Sequence, residues 1–213
     1  MTLRVQWLGR LGFEEALALQ EDAVARKAAG ACEDDFLFLL EHLPVYTIGR
    51  TPDHASLGDS ASLPHPVMRI NRGGQATFHG PGQLVGYPIL DLRRHGQDLH
   101  RYLRLLEEVL ILALEGYGIR AARRENLTGV WVGERKIASI GVGVRRWISM
   151  HGFALNIRGD LTPFQQIVPC GISGVEITSV ERETGVAPTV EKAAGEVAEI
   201  FQSAFHRGVE TPS

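Results

Sequence analysis

Apolar positions recur at helical spacing over residues 14–29 (EEALALQEDAVARKAA), with strong helix formers up to Gly30, and predict a first helix. Residues 35–42 (DFLFLLEH) form an apolar run that predicts a buried strand, followed by a short extended piece at 45–48. The stretch 52–66 carries three prolines among small polar residues and predicts a surface loop. Short strands are predicted at 67–71 and 84–92, on either side of a segment in which five of the fifteen residues 72–86 are glycine. Residues 98–115 (DLHRYLRLLEEVLILALE) carry the clearest amphipathic pattern, with Asp98 as cap and Gly116 as end. Residues 129–132 and 136–144 flank Gly133-Glu134 and predict a hairpin, 149–157 a third adjacent strand, and 189–205 a closing helix. No element is assigned ahead of residue 14. Hairpins with separated helices predict an α+β or mixed α/β sheet in a single domain spanning 1–213, rather than a doubly wound parallel sheet.

Composition narrows the class. The chain has 213 residues, so a prior of roughly 150 residues per domain fits one domain with its own core. Apolar residues make up 44% and charged residues 22%, as in globular proteins. A net charge of −3 argues against a broad nucleic-acid-binding face. The longest apolar runs fall short of a membrane span, and Arg4 and Arg10 interrupt any signal-peptide core, so a cytoplasmic protein is expected. Cys32 and Cys170 are the two cysteines, and no CxxC exists. Of 22 basic residues only Lys27, Lys136 and Lys192 are lysine, so chemistry needing an amine that gives up its proton has three candidates.

Familiar motifs are missing. None of the lysines follows a glycine, which excludes a Walker A loop, and no GxGxxG opens a helix. HExxH is absent, and Gly171-Ile-Ser173-Gly174 fails as a nucleophile elbow because Val175 follows.

Four segments carry chemistry. In Arg72-Gly-Gly-Gln-Ala-Thr-Phe-His79-Gly-Pro-Gly-Gln83, paired glycines let backbone N–H groups approach a ligand, or else the segment is a turn with a structural histidine. Lys136 starts a strand just past a turn, where a lysine is ordinarily exposed, yet Ile137, Ala138 and Ile140 offer a partly apolar site. Cys170 lies between Pro169 and Gly171, a turn that can present a thiol, whereas Cys32 sits among Glu33, Asp34 and Asp35, which disfavour a thiolate. A buried, inert cysteine is the alternative for Cys170. His151 falls on an alternating strand, and Gly152 beside it suggests close backbone approach by a ligand.

Taken together these blocks resemble the octanoyltransferases of lipoate biosynthesis, the lipoyl(octanoyl) transferases of the LipB family. The resemblance runs through Glu41-His-Leu-Pro-Val-Tyr-Thr-Ile-Gly49, the block from Arg72 to Gln83, the segments 133–141 and 151–156, and Pro169-Cys170-Gly171. It implies the fold of biotin and lipoate ligase catalytic domains, a mixed sheet flanked by helices. It also implies octanoyl transfer from octanoyl-acyl carrier protein to a cysteine, then to a lysine amine of a lipoyl domain. Acceptors would be 2-oxoacid dehydrogenase E2 subunits and the glycine cleavage H protein, with no cofactor, metal, nucleic acid or membrane involved. Carried over by position, Cys170 is the nucleophile and Lys136 its acid/base partner. Arg72, Gly73, Gly74, Gln75, Ala76, Thr77, Phe78 and His79, then Ser139, Ile140 and Gly141, then Gly152, Phe153 and Ala154 would line the acyl site.

The chemistry of the residues agrees. A thiol of pKa about 8.5 is only a few per cent thiolate at neutral pH, so it needs a partner that takes its proton. Amide formation from a thioester is downhill, which accounts for the lack of an ATP motif. Three rivals stay open: an ATP-dependent lipoate or biotin ligase, a non-catalytic lipoyl-domain or acyl-binding module, and a Cys-His hydrolase with His79 or His151 as base. An acidic carrier protein would need a local basic patch, for which Arg123-Arg124 and Arg145-Arg146 are candidates, the second pair, following the strand 136–144, expected within reach of the proposed site.

Overall fold

The computed structural model describes residues 2–50, 55–172 and 174–207; the side chains of residues 170, 206 and 207 lie outside it. The chain opens with β1 (Leu3–Leu11), α1 (Phe13–Ala28), β2 (Asp35–His42), β3 (Val45–Ile48), β4 (Val67–Arg69) and β5 (Thr77–His79). It continues with β6 (Gln83–Ile89), α2 (Leu99–Glu115), β7 (Ala122–Arg124), β8 (Leu127–Val132), β9 (Arg135–Arg145) and β10 (Ile148–Asn156). β11 (Glu176–Ile177), α3 (Val180–Thr184) and α4 (Val190–Arg207) complete it. Eight strands form a mixed sheet in the order β1-β2-β6-β10-β9-β8-β7, with β11 added on β9, and β4-β3-β5 form a small second sheet. The fold is the expected mixed α/β class.

The apolar run of β2 follows from burial on both faces. Leu37 and Leu39 join a core with Leu106, Val109 and Leu110 of α2 and Val197 and Phe201 of α4. Phe38 and Leu40, on the opposite face, pack with Ala16, Ala23 and Val24 of α1. α2 starts at Asp98, whose carboxylate accepts from His100 N and Arg101 N, and α1 ends just before Gly30 at φ 72°. Gly133, at φ 55°, turns the β8–β9 hairpin as expected. None of the described helices is long and apolar enough to cross a membrane.

Two sequence expectations need correction. β1, left unassigned above, runs parallel to β2 from Leu3↔Asp35 to Trp7↔Leu39, and α1 supplies the crossover that parallel neighbours require. The stretch read as a surface loop is exposed over most of its described length, but it also holds the buried residues Ser56 and Leu57 in a 3₁₀ turn (Ala55–Leu57); residues 52–54 lie outside the described residues. Ser56 Oγ accepts from Ala76 N at 3.1 Å, and Ser56 O accepts from Val168 N at 2.7 Å. That segment therefore ties the glycine-rich loop to the turn that carries Cys170.

Lys27 and Asp35 form a buried ion pair at 2.6 Å, with side chains 2% and 0% exposed. Lys27 also donates to Asp34 O at 2.8 Å, and Asp35 accepts from Asp91 N at 3.0 Å. Lys27→Met leaves the buried Asp35 carboxylate with only His95 Nε2, at 3.4 Å, and the Asp91 N–H, and is expected to destabilise the protein by about 3–5 kcal/mol. Urea unfolding of the variant measures this; a cost under about 1 kcal/mol would show that the pair behaves like an exposed one.

Candidate active site

The loop after β4 docks its backbone directly on β9: Gly73 N donates to Val142 O at 2.9 Å. Side chains on β9 would prevent this. A Cβ on Gly143 would stand 2.4 Å from Asn71 O, and one on Gly141 would stand 3.0 Å from Gly73 O. Arg72 holds the loop from inside. Its guanidinium, in a residue only 7% exposed, donates to Thr47 O, Thr47 Oγ1, Gln75 O and Gly73 O at 2.9–3.0 Å.

Beyond the loop the backbone is extended, and alternation decides which side chains reach the site. Gln75, Thr77 and His79 line a cavity of about 230 Å³. Ala76 and Phe78 point the other way, into a third core with Tyr46, Ile48 and Phe164. Ala76 and Phe78, and with them Gly73, are not among the residues that line this cavity; they support the loop. The remaining expected positions, Arg72, Gly74, Lys136, Ser139, Ile140, Gly141, Gly152, Phe153 and Ala154, all line it.

Lys136 is buried at 2% exposure, against the expectation for a lysine just past a turn. Strand addition explains this: Ile177 of β11 pairs with Lys136 on one edge of β9 while Trp131 of β8 pairs with it on the other. Its Nζ donates to Thr128 O at 3.1 Å and lies 5.3 Å from the centre of the Trp131 ring. Of the other lysines, Lys27 is committed to Asp35 and Lys192 is exposed on α4, so Lys136 is the lysine of the cavity.

Cys170 belongs by its backbone to the 3₁₀ turn Pro169–Gly171, and its side chain lies outside the described residues. The turn seats against the cavity wall. Gly171 is at φ 72°, and a Cβ there would stand 2.5 Å from Gln75 Cδ, while Ile172 lines the cavity itself. Cys32 lies elsewhere, half-buried after α1 with Sγ 3.8 Å from Asp34 O.

His79 sits in a directed hydrogen-bond chain. Arg72 Nη2 donates to Thr47 Oγ1 at 2.9 Å, leaving the Thr47 hydroxyl proton for His79 Nε2 at 3.3 Å. His79 Nδ1 meets Gln83 Oε1 at 2.7 Å; Gln83 Nε2 donates to Phe78 O and to Asn156 Oδ1, and Asn156 Nδ2 donates to Thr178 O. An arginine can only donate and a carbonyl can only accept, so the chain runs one way and His79 carries its proton on Nδ1. Burial, with His42 and Arg72 nearby, lowers its pKa to about 3. His42 is built alike, between Leu11 O at Nδ1 and the Tyr87 hydroxyl at Nε2, and burial lowers its pKa to about 4.

The sequence reading left out several wall residues: Phe13, Ile70, Tyr87, Ile172 and the hairpin residues Asn126, Leu127 and Thr128. It weighed His151 as a core histidine on a strand or as a rival base, and that ring also lines the cavity. His151 has φ 56°, and its N–H donates to Gln20 Oε1 at 2.8 Å because β10 pairs with β6 only from Phe153 onward. This irregularity re-aims the ring. Thr77 Oγ1 is buried without a hydrogen-bond partner among the described residues, and the two ring nitrogens of His151 are buried near the Asn71 backbone. Burial, with Arg72 and Arg50 near, lowers the His151 pKa to about 4. Gly152 is corrected in its reason: its close neighbour is β6, since a Cβ would stand 2.3 Å from Gly86 O.

Arg145 and Arg146 lie at the far end of β9, nine residues from Lys136 and hence about 30 Å away. They are exposed, and Arg145 stands four residues along β9 from Gly141, which lines the cavity. Arg123 pairs with Glu107 and Glu108, and Arg124 with Glu134 and the Trp131 ring.

Over residues 13–202 the chain matches the lipoyl protein ligase A/B catalytic domain, which sets its class. Solved structures share the fold: lipoate-protein ligase A bound with ATP gives a TM-score of 0.71 at 17% identity over 97% of this chain and 86% of that one. Biotin protein ligase from Aquifex aeolicus gives 0.56 at 13% identity over 97% and 70%. Octanoyltransferase from Geobacter sulfurreducens is 54% identical over 202 residues, 93% of this chain and 83% of its own. That of Synechococcus elongatus is 51% identical over 184 residues, 84% and 79% of the two chains. The chain belongs to the octanoyltransferases of the lipoyl protein ligase A/B family and is an acyltransferase.

Three buried histidines give the fold an acid limit. Each has a folded pKa of about 3–4, below its unfolded value near 6.5, so the unfolded state binds more protons between these pH values. Their contribution is complete above pH 6.5 and is lost as pH falls toward 4. Each is expected to cost about 2 kcal/mol by pH 5. Urea midpoints at pH 7 and 5 test this; equal midpoints would contradict it.

Proposed function

We propose that the protein transfers an octanoyl group from octanoyl-acyl carrier protein to the lysine amine of lipoyl domains, working as one catalytic domain over 1–213. Its acceptors in this reading are 2-oxoacid dehydrogenase E2 subunits and the glycine cleavage H protein, and its compartment is the cytoplasm. One observation carries the reading. The buried amine of Lys136, the glycine-rich loop and the turn holding Cys170 converge on one cavity with apolar walls at Ile140, Phe153 and Ala154.

Two thiol steps follow. Lys136 as free amine takes the Cys170 proton, and the thiolate attacks the donor thioester carbonyl. The carrier thiolate leaves and recovers the proton from the Lys136 ammonium, so the cysteine holds the acyl group and the lysine is again neutral. The acceptor amine then attacks the Cys170 thioester. It gives its proton to Lys136, which returns it to the departing Cys170 sulfur. The buried polar atoms of Thr77 and His151 offer hydrogen-bonding groups for the polar head of an acyl group in an otherwise apolar wall.

The rivals have less support. His79 has both nitrogens engaged and stays neutral, which fits a structural histidine better than the base of a hydrolase. The ligases share only the fold, at 13–17% identity, whereas octanoyltransferases reach 54%.

Incubation with octanoyl-acyl carrier protein and no acceptor is expected to add one octanoyl mass, mapped to the Cys170 peptide. Label on Cys32, or full turnover by Cys170→Ala, would sink the thioester route. Lys136→Arg keeps a cation that cannot give up its proton and is expected to lose about 10²–10⁴ in rate. Near wild-type turnover by that variant would move the acid/base role to His151.

A further inference from the structure

Glu107 lies on α2, 1% exposed, and the reaction steps above give it no part. Its Oε2 accepts from Arg104 Nη1 at 2.6 Å and Arg123 Nε at 3.2 Å, two side chains that reach the surface. Its Oε1 does something different: it accepts from the backbone N–H of Gly129 at 3.1 Å. That N–H and the carbonyl of Thr128 belong to one peptide group, and the carbonyl accepts from Lys136 Nζ at 3.1 Å. The contacts form a line from carboxylate through a planar peptide to the lysine amine.

Local geometry leaves this peptide dependent on such a hold. The β8–β9 register slips between Val130 and Trp131, and the regular pairing of β8 with β9 begins only at Val130. Gly129 has φ 126°, a conformation that side chains rarely adopt. A Cβ at Gly129 would also stand 2.7 Å from Lys136 Cε. A trans peptide is rigid, so fixing its N–H fixes the direction of its C=O. A carboxylate on the N–H also polarises the group and makes the carbonyl a stronger acceptor.

We propose that Glu107 is a positioning residue for Lys136, acting through the Thr128–Gly129 peptide to hold the amine in the cavity. The inference rests on the reading of Lys136 as acid/base. Glu107→Leu removes the acceptor, and Glu107→Gln keeps the shape while giving up the charge. In the full-length protein, kcat for octanoyl transfer is expected to fall from wild type to Gln to Leu, reaching about 10–100-fold for Leu, with KM little changed. Arg123→Ala removes the ion pairs with Glu107 and Glu108 but leaves the Gly129 bond, and is expected to keep kcat.

A second readout is independent of catalysis. Acetylation of Lys136 by dilute acetic anhydride, measured by mass spectrometry against the exposed Lys192, is expected to change severalfold in the same order of variants. Wild-type kcat and wild-type labelling in folded Glu107→Leu overturn the proposal. Where Leu does not fold, the same result in Glu107→Gln does so. Lost kcat with unchanged labelling also overturns it, since Glu107 would then serve stability alone. Failure of the Lys136 reading shows separately, as full transfer by Lys136→Ala, and leaves the labelling result to stand on its own.

Discussion

Arg72 brings a permanent positive charge into the interior, and much of the molecule is arranged to solvate it. A guanidinium cannot shed its proton to escape burial, so acceptors must be built around it. The structure supplies main-chain carbonyls of Thr47, Gly73 and Gln75, drawn from the small sheet and from the loop itself. Supplying them bends the loop back over its own arginine and presses its backbone onto β9. That contact needs bare backbone on the receiving strand, which is why Gly141 and Gly143 stand there. From Arg72 the polarity passes through Thr47, His79, Gln83 and Asn156 to Thr178, whose own N–H donates to Lys136 O. A single directed chain thus connects the loop, both sheets and the strand that carries the lysine.

The same arrangement makes the cavity rigid on its polar side and plain on its apolar side. Each member of the chain has its donors and acceptors assigned by its neighbours, so no rotation of Gln83 or Asn156 keeps every bond. On the other side, Ile140, Phe153 and Ala154 offer only shape. Shape and hydrophobic burial suit an alkyl chain, at about 0.8 kcal/mol for each methylene removed from water.

How much of this is legible in the sequence depends on how local the cause is. The strand at 35–42, the Asp98 cap and the Gly133 turn are read correctly because the deciding interactions lie within a few residues. Period-two alternation from Gln75 would also have separated Thr77 and His79 from Ala76 and Phe78, and β1 shows the same alternation in Leu3, Val5 and Trp7. The burial of Lys136 is of another kind. It depends on β11, some forty residues downstream, and nothing beside residue 136 signals that pairing. Phe13, Tyr87 and His151 likewise reach the cavity through tertiary packing, His151 by a left-handed backbone that no glycine or asparagine marks.

On the proposed reading, one proton must shuttle twice in each turnover, and the cavity's own chemistry narrows which group carries it. Arg72 holds its proton throughout. His79 and His151, with pKa values lowered to about 3 and 4, are poor bases toward a thiol, since a base works best when its pKa lies near the working pH. Burial raises the Tyr87 phenol, which spends its proton on His42. Among the described residues that line the cavity there is no carboxylate. What remains is the amine of Lys136, held by a carbonyl that a buried carboxylate steadies from behind. The burial that makes the histidines weak bases and the peptide that anchors the lysine belong to one interior, in which Arg72, Thr47, His79, Gln83 and Asn156 assign one another's partners. On that reading the flexible lysine side chain, rather than any imidazole, is the group left to move a proton.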